Sequence, residues 1–175
     1  CIRDRVDNVL PLIKTENFGT KPIDQAEKIL HDYIERESIA LSVRESDEAF
    51  YNPITDSITL PRITQFEHAE TFYSTAFHEC GHSTLKANRC DREAENKTAR
   101  FGSEDYSKEE LVAEITSAAI MNHIGLETLA TFNNSAAYIQ NWLKALKNDK
   151  KLIVSASGKA EKAARYILNI NDEKG

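Results

Sequence analysis

The sequence predicts an α+β fold, with a small, mainly antiparallel sheet in its first half and a mostly helical second half. Three observations predict this class. The 175 residues include only six glycines and four prolines, apolar residues recur at helical spacing in five segments, and three short segments between residues 39 and 60 read as strands. We expect one domain over residues 1–175, in which residues 1–20 form a peripheral N-terminal segment.

The elements follow from local patterns. Helices are predicted over 22–37, 67–82, 107–124, 135–146 and 151–170. Strands are predicted over 39–43, 49–52 and 57–60, the last two joined as a hairpin by the turn-like residues 53–56. Residues 86–106 are polar and rich in charge, so we expect a loop with little internal packing.

Composition narrows the function classes. No stretch approaches the roughly 20 apolar residues of a membrane span, so we expect no membrane partner. The net charge is −6, and seven Lys and Arg residues lie between 142 and 166, so the rest of the chain is strongly acidic. An acidic body argues against nucleic acid as the main ligand of this segment. Three cysteines without metal-clamp spacing and a start that lacks the pattern of a signal peptide favour the cytoplasm.

The chemistry is concentrated in the second predicted helix, where residues 78–82 read His-Glu-Cys-Gly-His, an HExxH motif. Histidines four residues apart share one helix face, so His78 and His82 are predicted to bind one Zn²⁺. Glu79 lies about 100° around the helix axis, where it can act as the catalytic general base on water without occupying the metal. A chance match is the alternative, and the apolar lead into the motif argues against it.

A catalytic zinc needs a third protein ligand, and the third predicted helix offers Glu110 and Glu114 on one face. Acidic residues near a helix start also suit a capping box and the helix dipole. Because like charges four residues apart repel each other, the pair is easier to understand beside a cation. We favour Glu110 as the ligand and Glu114 as the acceptor that orients a histidine ring, and the reverse assignment stays open.

Besides HExxH, the chain contains the more specific motifs Phe-Gly-Ser, Glu-Glu-Leu-Val-Ala-Glu and Tyr-Ile-x-x-Trp-Leu, in this order. With these motifs, the stretches 51–61, 66–83, 100–114 and 138–143 resemble the zincin-like metallopeptidase domain at the C-terminal end of ArdC-type antirestriction proteins. The resemblance covers most of residues 20–168. The resemblance implies a zincin-like fold of the gluzincin type, with His78, His82 and Glu110 on the metal and Glu114 in support.

The resemblance also implies a function: zinc-dependent hydrolysis of a peptide or protein substrate, associated with antirestriction in a bacterial cytoplasm and with plasmids or phages. It implies that the strand over 57–60 is a sheet edge that could pair with an extended substrate. The alternative is a non-hydrolytic, metal-stabilised binding module that protects DNA or masks a restriction enzyme. Contact with DNA or a restriction system is expected only through the parent protein.

The sequence assigns no further residue to the site. Cys80 stands where family members often carry leucine, and it is predicted to be a small buried residue that is not a ligand. Tyr106, His123 and Arg100 are the nearest candidates for stabilising an oxyanion, and none is assigned. The lysines of the last helix are most simply a solvated face.

Overall fold

The computed structural model describes residues 17–93, 104–145 and 150–170. Their elements are α1 (Asp24–Arg36), β1 (Ala40–Arg44), β2 (Phe50–Asn52), β3 (Ser57–Pro61), α2 (Ala69–Ser83), α3 (Glu104–His123), α4 (Leu129–Ala145) and α5 (Lys150–Ile167). The α+β class and the helical second half are confirmed. Among the described residues, no helix is long and apolar enough to cross a membrane.

The sheet has three strands in the order β1-β3-β2. The predicted hairpin is present, because β2 pairs antiparallel with β3 and Tyr51 lies opposite Ile58. Strand β1 pairs parallel with β3, with Leu41 opposite Ile58, so the sheet is mixed and not mainly antiparallel. Alternating polarity in residues 39–43 indicates a strand and carries no information on the direction of its partner.

Strand β3 is the centre of the sheet, so the expectation that residues 57–60 form an edge is wrong. Four of the five residues of β3 are buried, whereas four of the five residues of β1 are exposed. A central strand is paired on both sides and is usually buried. Ile58 and Leu60 of β3 agree with this position, since both are 0% exposed. The outer strands β1 and β2 are therefore the edges.

The core lies between the sheet and the helices. Aromatic residues of α2 pack against each other. The rings of Phe72 and Tyr73 meet edge to face 5.1 Å apart, and the rings of Tyr73 and Phe77, one turn further on, lie 6.3 Å apart at a tilt of 31°. Helix α3 crosses behind α2 and contributes Ile120 and Met121 to the same core. Because α2, α4 and α5 all pack against it, most of the described side chains of α3 are buried. This central helix carries the glutamates of the predicted site.

Two helix starts and part of the predicted loop differ most from the sequence prediction. Helix α3 begins at Glu104, before the predicted start at residue 107. Helix α4 begins at Leu129, six residues before the predicted start, and Thr128 caps it because its Oγ1 accepts the Thr131 backbone N–H at 3.2 Å. Within residues 86–92, Arg89 and Arg92 are packed against the rest of the protein, since they are 7% and 3% exposed. Residues 94–103 of the predicted loop lie outside the described residues, as do residues 1–16.

Candidate metal centre

Helix α2 brings the two histidines of the HExxH motif together. One helical turn separates His78 and His82, and their rings meet edge to face with centroids 4.7 Å apart. Their Nε2 atoms lie 3.1 Å from each other, so both rings turn the same nitrogen toward one point. The side chains are only 14% and 11% exposed.

Helix α3 supplies a carboxylate to the same point. Glu110 Oε1 lies 3.3 Å from His82 Nε2, and Glu110 Oε2 lies 3.5 Å from His78 Nε2. One donor atom from each of the three residues falls within 4.8 Å of the others. Glu110 is 2% exposed, and a carboxylate buried so deeply requires positive partners.

The three donors fit a small divalent cation. Donors about 2.1 Å from a tetrahedral Zn²⁺ lie about 3.4 Å from each other. The two histidine nitrogens lie 3.1 Å apart, and each has one oxygen of Glu110 nearby, Oε1 at 3.3 Å for His82 and Oε2 at 3.5 Å for His78. Two imidazole nitrogens and one carboxylate are also a donor set that catalytic zinc sites use. His78, His82 and Glu110 could therefore hold a metal without a change of backbone.

Glu114 contacts the other nitrogen of His78. Its Oε2 lies 3.1 Å from His78 Nδ1, one turn along α3 from Glu110. A carboxylate at Nδ1 favours the neutral tautomer that carries its proton there, so that the unprotonated Nε2 faces the cluster. Glu114 lies on the far side of the ring from Glu110, so the two glutamates occupy different places.

Glu79 is 4% exposed and follows His78 on α2. Its charge contributes to raising the pKa of His82, so the carboxylate lies within electrostatic reach of the cluster. It does not belong to the group of three whose donors converge. The spacing of the motif predicts this placement, in which Glu79 lies beside the metal position and is not a ligand.

The two helices approach each other closely at Gly81. A Cβ on this residue would lie 3.0 Å from the Cα of Ala113 and 3.3 Å from its carbonyl oxygen. Ala113 stands between Glu110 and Glu114 in the sequence, so this contact sets how near the glutamates come to the histidines. The glycine of the motif therefore has a packing role that spacing alone does not reveal.

Sequence reasoning missed a buried ion pair behind His82. Arg92 donates to both oxygens of Glu109, with Nη2 2.6 Å from Oε1 and Nε 3.1 Å from Oε2. The same Glu109 Oε1 lies 3.7 Å from His82 Nδ1. A glutamate next to Glu110 could have been flagged from the sequence, but its arginine partner lies 17 residues earlier in a segment read as a loop.

Electrostatics couples the histidines to the carboxylates. Burial lowers the pKa of His78, but hydrogen bonds with Glu110 and Glu114 outweigh this effect and raise the pKa to about 10. Burial also lowers the pKa of His82, and Glu110 and Glu109 raise it well above its ordinary value. Burial raises the pKa of Glu110, while the two histidines together bring it far below the usual range. Protons on the histidines are therefore expected to compete with a cation for the place between these groups.

The remaining candidates stay outside the cluster. Cys80 is fully buried, and burial raises the pKa of its thiol, so it remains protonated and does not act as a thiolate ligand. His123 is exposed at the C-terminal end of α3, and Tyr106 is 4% exposed at its start. Arg100 lies outside the described residues.

A helix with HExxH histidines, packed on a small sheet and faced by a glutamate of a second helix, defines the zincin class of folds. The chain belongs to the zincin-like metallopeptidase family MPTase-PolyVal, whose family model matches residues 25–159. The resemblance noted in the sequence is thereby confirmed at the level of family and fold.

Curated relatives and solved structures agree with this assignment. Two proteins of Escherichia coli named DNA primase TraC are 36% and 38% identical to the chain, each over 94% of it. An uncharacterised protein y4eC of Sinorhizobium fredii is 34% identical over 74% of the chain. The Mn(II)-bound crystal structure of the antirestriction protein ArdC from plasmid R388 matches with a TM-score of 0.61 and 27% identity over 94% of the chain.

The chain is shorter than these proteins. It spans 11% and 15% of the two TraC sequences, 41% of y4eC and 57% of the Mn(II)-bound ArdC chain. A metal-free ArdC structure also matches, with a TM-score of 0.60 over 79% of this chain and 48% of that chain.

Proposed function

We propose that this chain is a zinc-dependent metallopeptidase domain that hydrolyses peptide bonds. The observation that carries the proposal is the convergence of His78 Nε2, His82 Nε2 and the Glu110 carboxylate within 3.1–3.5 Å of each other in a buried cluster. In this proposal these three residues are the metal ligands, and membership of a zincin-like metallopeptidase family supports it. We extend the domain to the whole chain, residues 1–175.

The chemistry divides among a few side chains. A bound Zn²⁺ would lower the pKa of water toward about 7 and polarise a peptide carbonyl. Glu79 accepts the proton of the attacking water and later passes it to the leaving amide nitrogen. Glu114 accepts the Nδ1–H of His78 and keeps its Nε2 directed at the metal, and burial of the cluster excludes bulk water from these exchanges.

The expected ion is Zn²⁺, although Mn(II) occupies the ArdC structure that the chain resembles. Sites with nitrogen and oxygen donors bind zinc more tightly than manganese in the general order of divalent metals. A competition between equal concentrations of the two ions tests this choice directly.

The deciding experiment is elemental analysis of the purified protein, together with the variants His82→Ala, Glu110→Gln and Glu114→Gln. We expect about one zinc per chain in the unchanged protein. Removing a ligand should abolish stoichiometric zinc, whereas Glu114→Gln should weaken binding by about 10- to 100-fold. Glu110 and Glu114 occupy the same helix, so each is the matched control for the other.

Glu79→Gln completes the set, because it should retain zinc and lose hydrolysis of a denatured protein substrate. An unchanged protein that takes up no zinc, even when zinc is added, would contradict the metal centre. Equal zinc loss in Glu110→Gln and Glu114→Gln would contradict the assignment of ligand and support. Hydrolysis that survives Glu79→Gln would remove the general base from the mechanism.

A second candidate function comes from the names of the similar proteins, since ArdC is an antirestriction protein and TraC is a DNA primase. In this version the domain is a metal-stabilised binding module, and the parent protein protects DNA or masks a restriction enzyme. Plasmid protection against restriction, measured in the parent protein with Glu79→Gln, separates the two versions. Protection that persists in the variant favours binding, and protection that disappears favours hydrolysis.

A further inference from the structure

The two histidines of the cluster are supported in different ways. His78 has a direct contact at Nδ1, because Glu114 lies 3.1 Å away. His82 Nδ1 faces Glu109 at 3.7 Å, which is longer than a hydrogen bond. A carboxylate at this distance can move toward the ring or away from it, so whatever holds Glu109 also controls the surroundings of His82.

Arg92 holds Glu109 with its guanidinium fork, through contacts of 2.6 and 3.1 Å. Its Nη2 also donates to the Gly81 carbonyl at 3.2 Å and its Nη1 donates to Thr84 Oγ1 at 2.9 Å. One side chain therefore ties the C-terminal end of α2, which carries His82, to the turn of α3 that carries Glu110. The fork spans the two helices that supply the converging donors.

Stability alone gives little reason for such a pair. Arg92 and Glu109 are 3% and 8% exposed, and moving both charges out of water costs about as much as their attraction returns. An apolar pair of similar volume would hold the helices together equally well. Arg92 and Glu109 instead place a charged carboxylate in a fixed orientation next to His82. Such a carboxylate affects the orientation and basicity of the histidine ring, and therefore its binding of a metal.

We propose that Arg92 is a positioning residue for the metal centre, acting through Glu109 to fix the ring of His82 relative to Glu110. The inference rests on the proposed metal site and adds a residue that lies outside the HExxH motif and outside the group of converging donors. Loss of the fork leaves Glu109 free to turn, so His82 presents its nitrogen in several orientations and binds metal less tightly.

The test measures the Zn²⁺ affinity of Arg92→Lys by competition with a chromophoric chelator. Lysine keeps the charge and loses the fork. Arg89→Lys is the matched control, because Arg89 is equally buried and touches the end of α2 at the Ser83 carbonyl, yet its ion pairs go to Asp56 and Glu37. We expect Arg92→Lys to weaken Zn²⁺ binding about tenfold or more, and Arg89→Lys to stay within about threefold of the unchanged protein.

Two readouts separate positioning from general loss of structure. The visible spectrum of the Co²⁺-substituted protein should change in Arg92→Lys and not in Arg89→Lys, while the melting temperature of the metal-free protein should fall in both. If Arg92 acts through Glu109, the double variant Arg92→Lys with Glu109→Gln should bind Zn²⁺ as weakly as Glu109→Gln alone. Additive losses would overturn the proposal.

Affinity within threefold of the unchanged protein in Arg92→Lys would also overturn it, while leaving the metal site intact. If the unchanged protein binds no metal, this inference and the proposed function both fall. Should Arg92→Lys not fold, Arg92→Met with Glu109→Gln removes both buried charges together and carries the same test. A tenfold loss of affinity in that pair supports the proposal, and unchanged affinity overturns it.

Discussion

At the scale of the residue, each charged group of the cluster would be costly to bury alone. Buried together, the carboxylates and the histidines neutralise each other. Glu110 is 2% exposed and lies against two histidines, and each histidine faces a further carboxylate, at 3.1 Å for His78 and 3.7 Å for His82. Like charges four residues apart on α3 would repel if both faced the same point. His78 separates Glu110 from Glu114, which is why both carboxylates can be buried on one helix.

The raised pKa values predict how metal binding depends on pH. Because the pKa of His78 is about 10 without metal, protons should still compete with Zn²⁺ between pH 7.5 and 9. The apparent Zn²⁺ affinity should therefore rise about tenfold or more per pH unit across this range, as measured by chelator competition. A histidine with the ordinary pKa of about 6.5 would give nearly constant affinity there, and that result would contradict the coupling.

The raised pKa of His78 also makes the stability of the metal-free protein depend on pH. This stability should fall as the pH rises, whereas the Zn²⁺ affinity should rise. The folded pKa of His78 lies above the unfolded value, so its contribution is fully present below about pH 6.5 and is lost as the pH rises toward about 10. The free energy of unfolding of the metal-free protein should fall over this window. Urea unfolding at several pH values, with and without Zn²⁺, measures the two trends separately.

At the scale of the element, the site depends on how closely α2 and α3 approach. Their contact at Gly81 and Ala113 leaves little room for a side chain, because the two nearest atoms belong to the backbone of Ala113. Neither helix contains all three converging donors, so a change of spacing between them changes the cluster even when both helices stay intact. The HExxH helix is thus only half of the candidate site.

Gly81→Ala tests this dependence. The added methyl group should push the helices apart by a few tenths of an ångström, lower the free energy of unfolding by about 1–3 kcal/mol and weaken Zn²⁺ binding by about tenfold. Gly158→Ala in α5 is the matched control, since nothing lies within 4 Å of its Cβ position. The control should be more stable by up to about 1 kcal/mol, because alanine favours helix. Zinc affinity unchanged in Gly81→Ala would show that the close contact is not needed.

At the scale of the whole molecule, a second buried arginine connects segments that are distant in sequence. Arg89 donates to both oxygens of Asp56 in the hairpin turn, at 2.9 and 2.8 Å, and to the Ser83 carbonyl at the end of α2. It also pairs with Glu37 after α1. Its side chain is 0% exposed, so one guanidinium joins the sheet to two helices in the interior.

Arg89→Met should lower the free energy of unfolding by about 3–5 kcal/mol, because it removes the arginine that pairs with Asp56 and leaves Glu37 with the Arg36 ion pair. Urea unfolding of the metal-free protein measures the loss. Lys28→Met is a suitable control, since its ion pair with Asp32 is exposed and should contribute less than about 1 kcal/mol. A loss below about 1 kcal/mol in Arg89→Met would mean that the network is not a support of the fold.

The local sequence pattern determined the helices, the hairpin and the shared face of the two histidines. Apolar spacing located all five described helices, with the N-terminal boundaries of α3 and α4 misplaced, and the hairpin of β2 and β3 followed from its turn residues. The spacing of His78 and His82 determined that their rings share a face, since a helix repeats every 3.6 residues. The burial of Cys80 also followed from its position away from the histidines.

Only the tertiary structure decided the rest. Strand β1 pairs with β3 in parallel, which places residues 57–60 at the centre of the sheet, and no pattern within five residues encodes that partner. The sequence favoured Glu110 over Glu114 as the ligand and left the reverse open, and the approach of α3 to α2 puts Glu110 at the Nε2 atoms and Glu114 at Nδ1 of His78. The connection of Arg92 to the site follows only from its contact with Glu109 in the folded protein. The physical reason is that periodicity fixes which side chains share a face, whereas packing between elements fixes what that face meets.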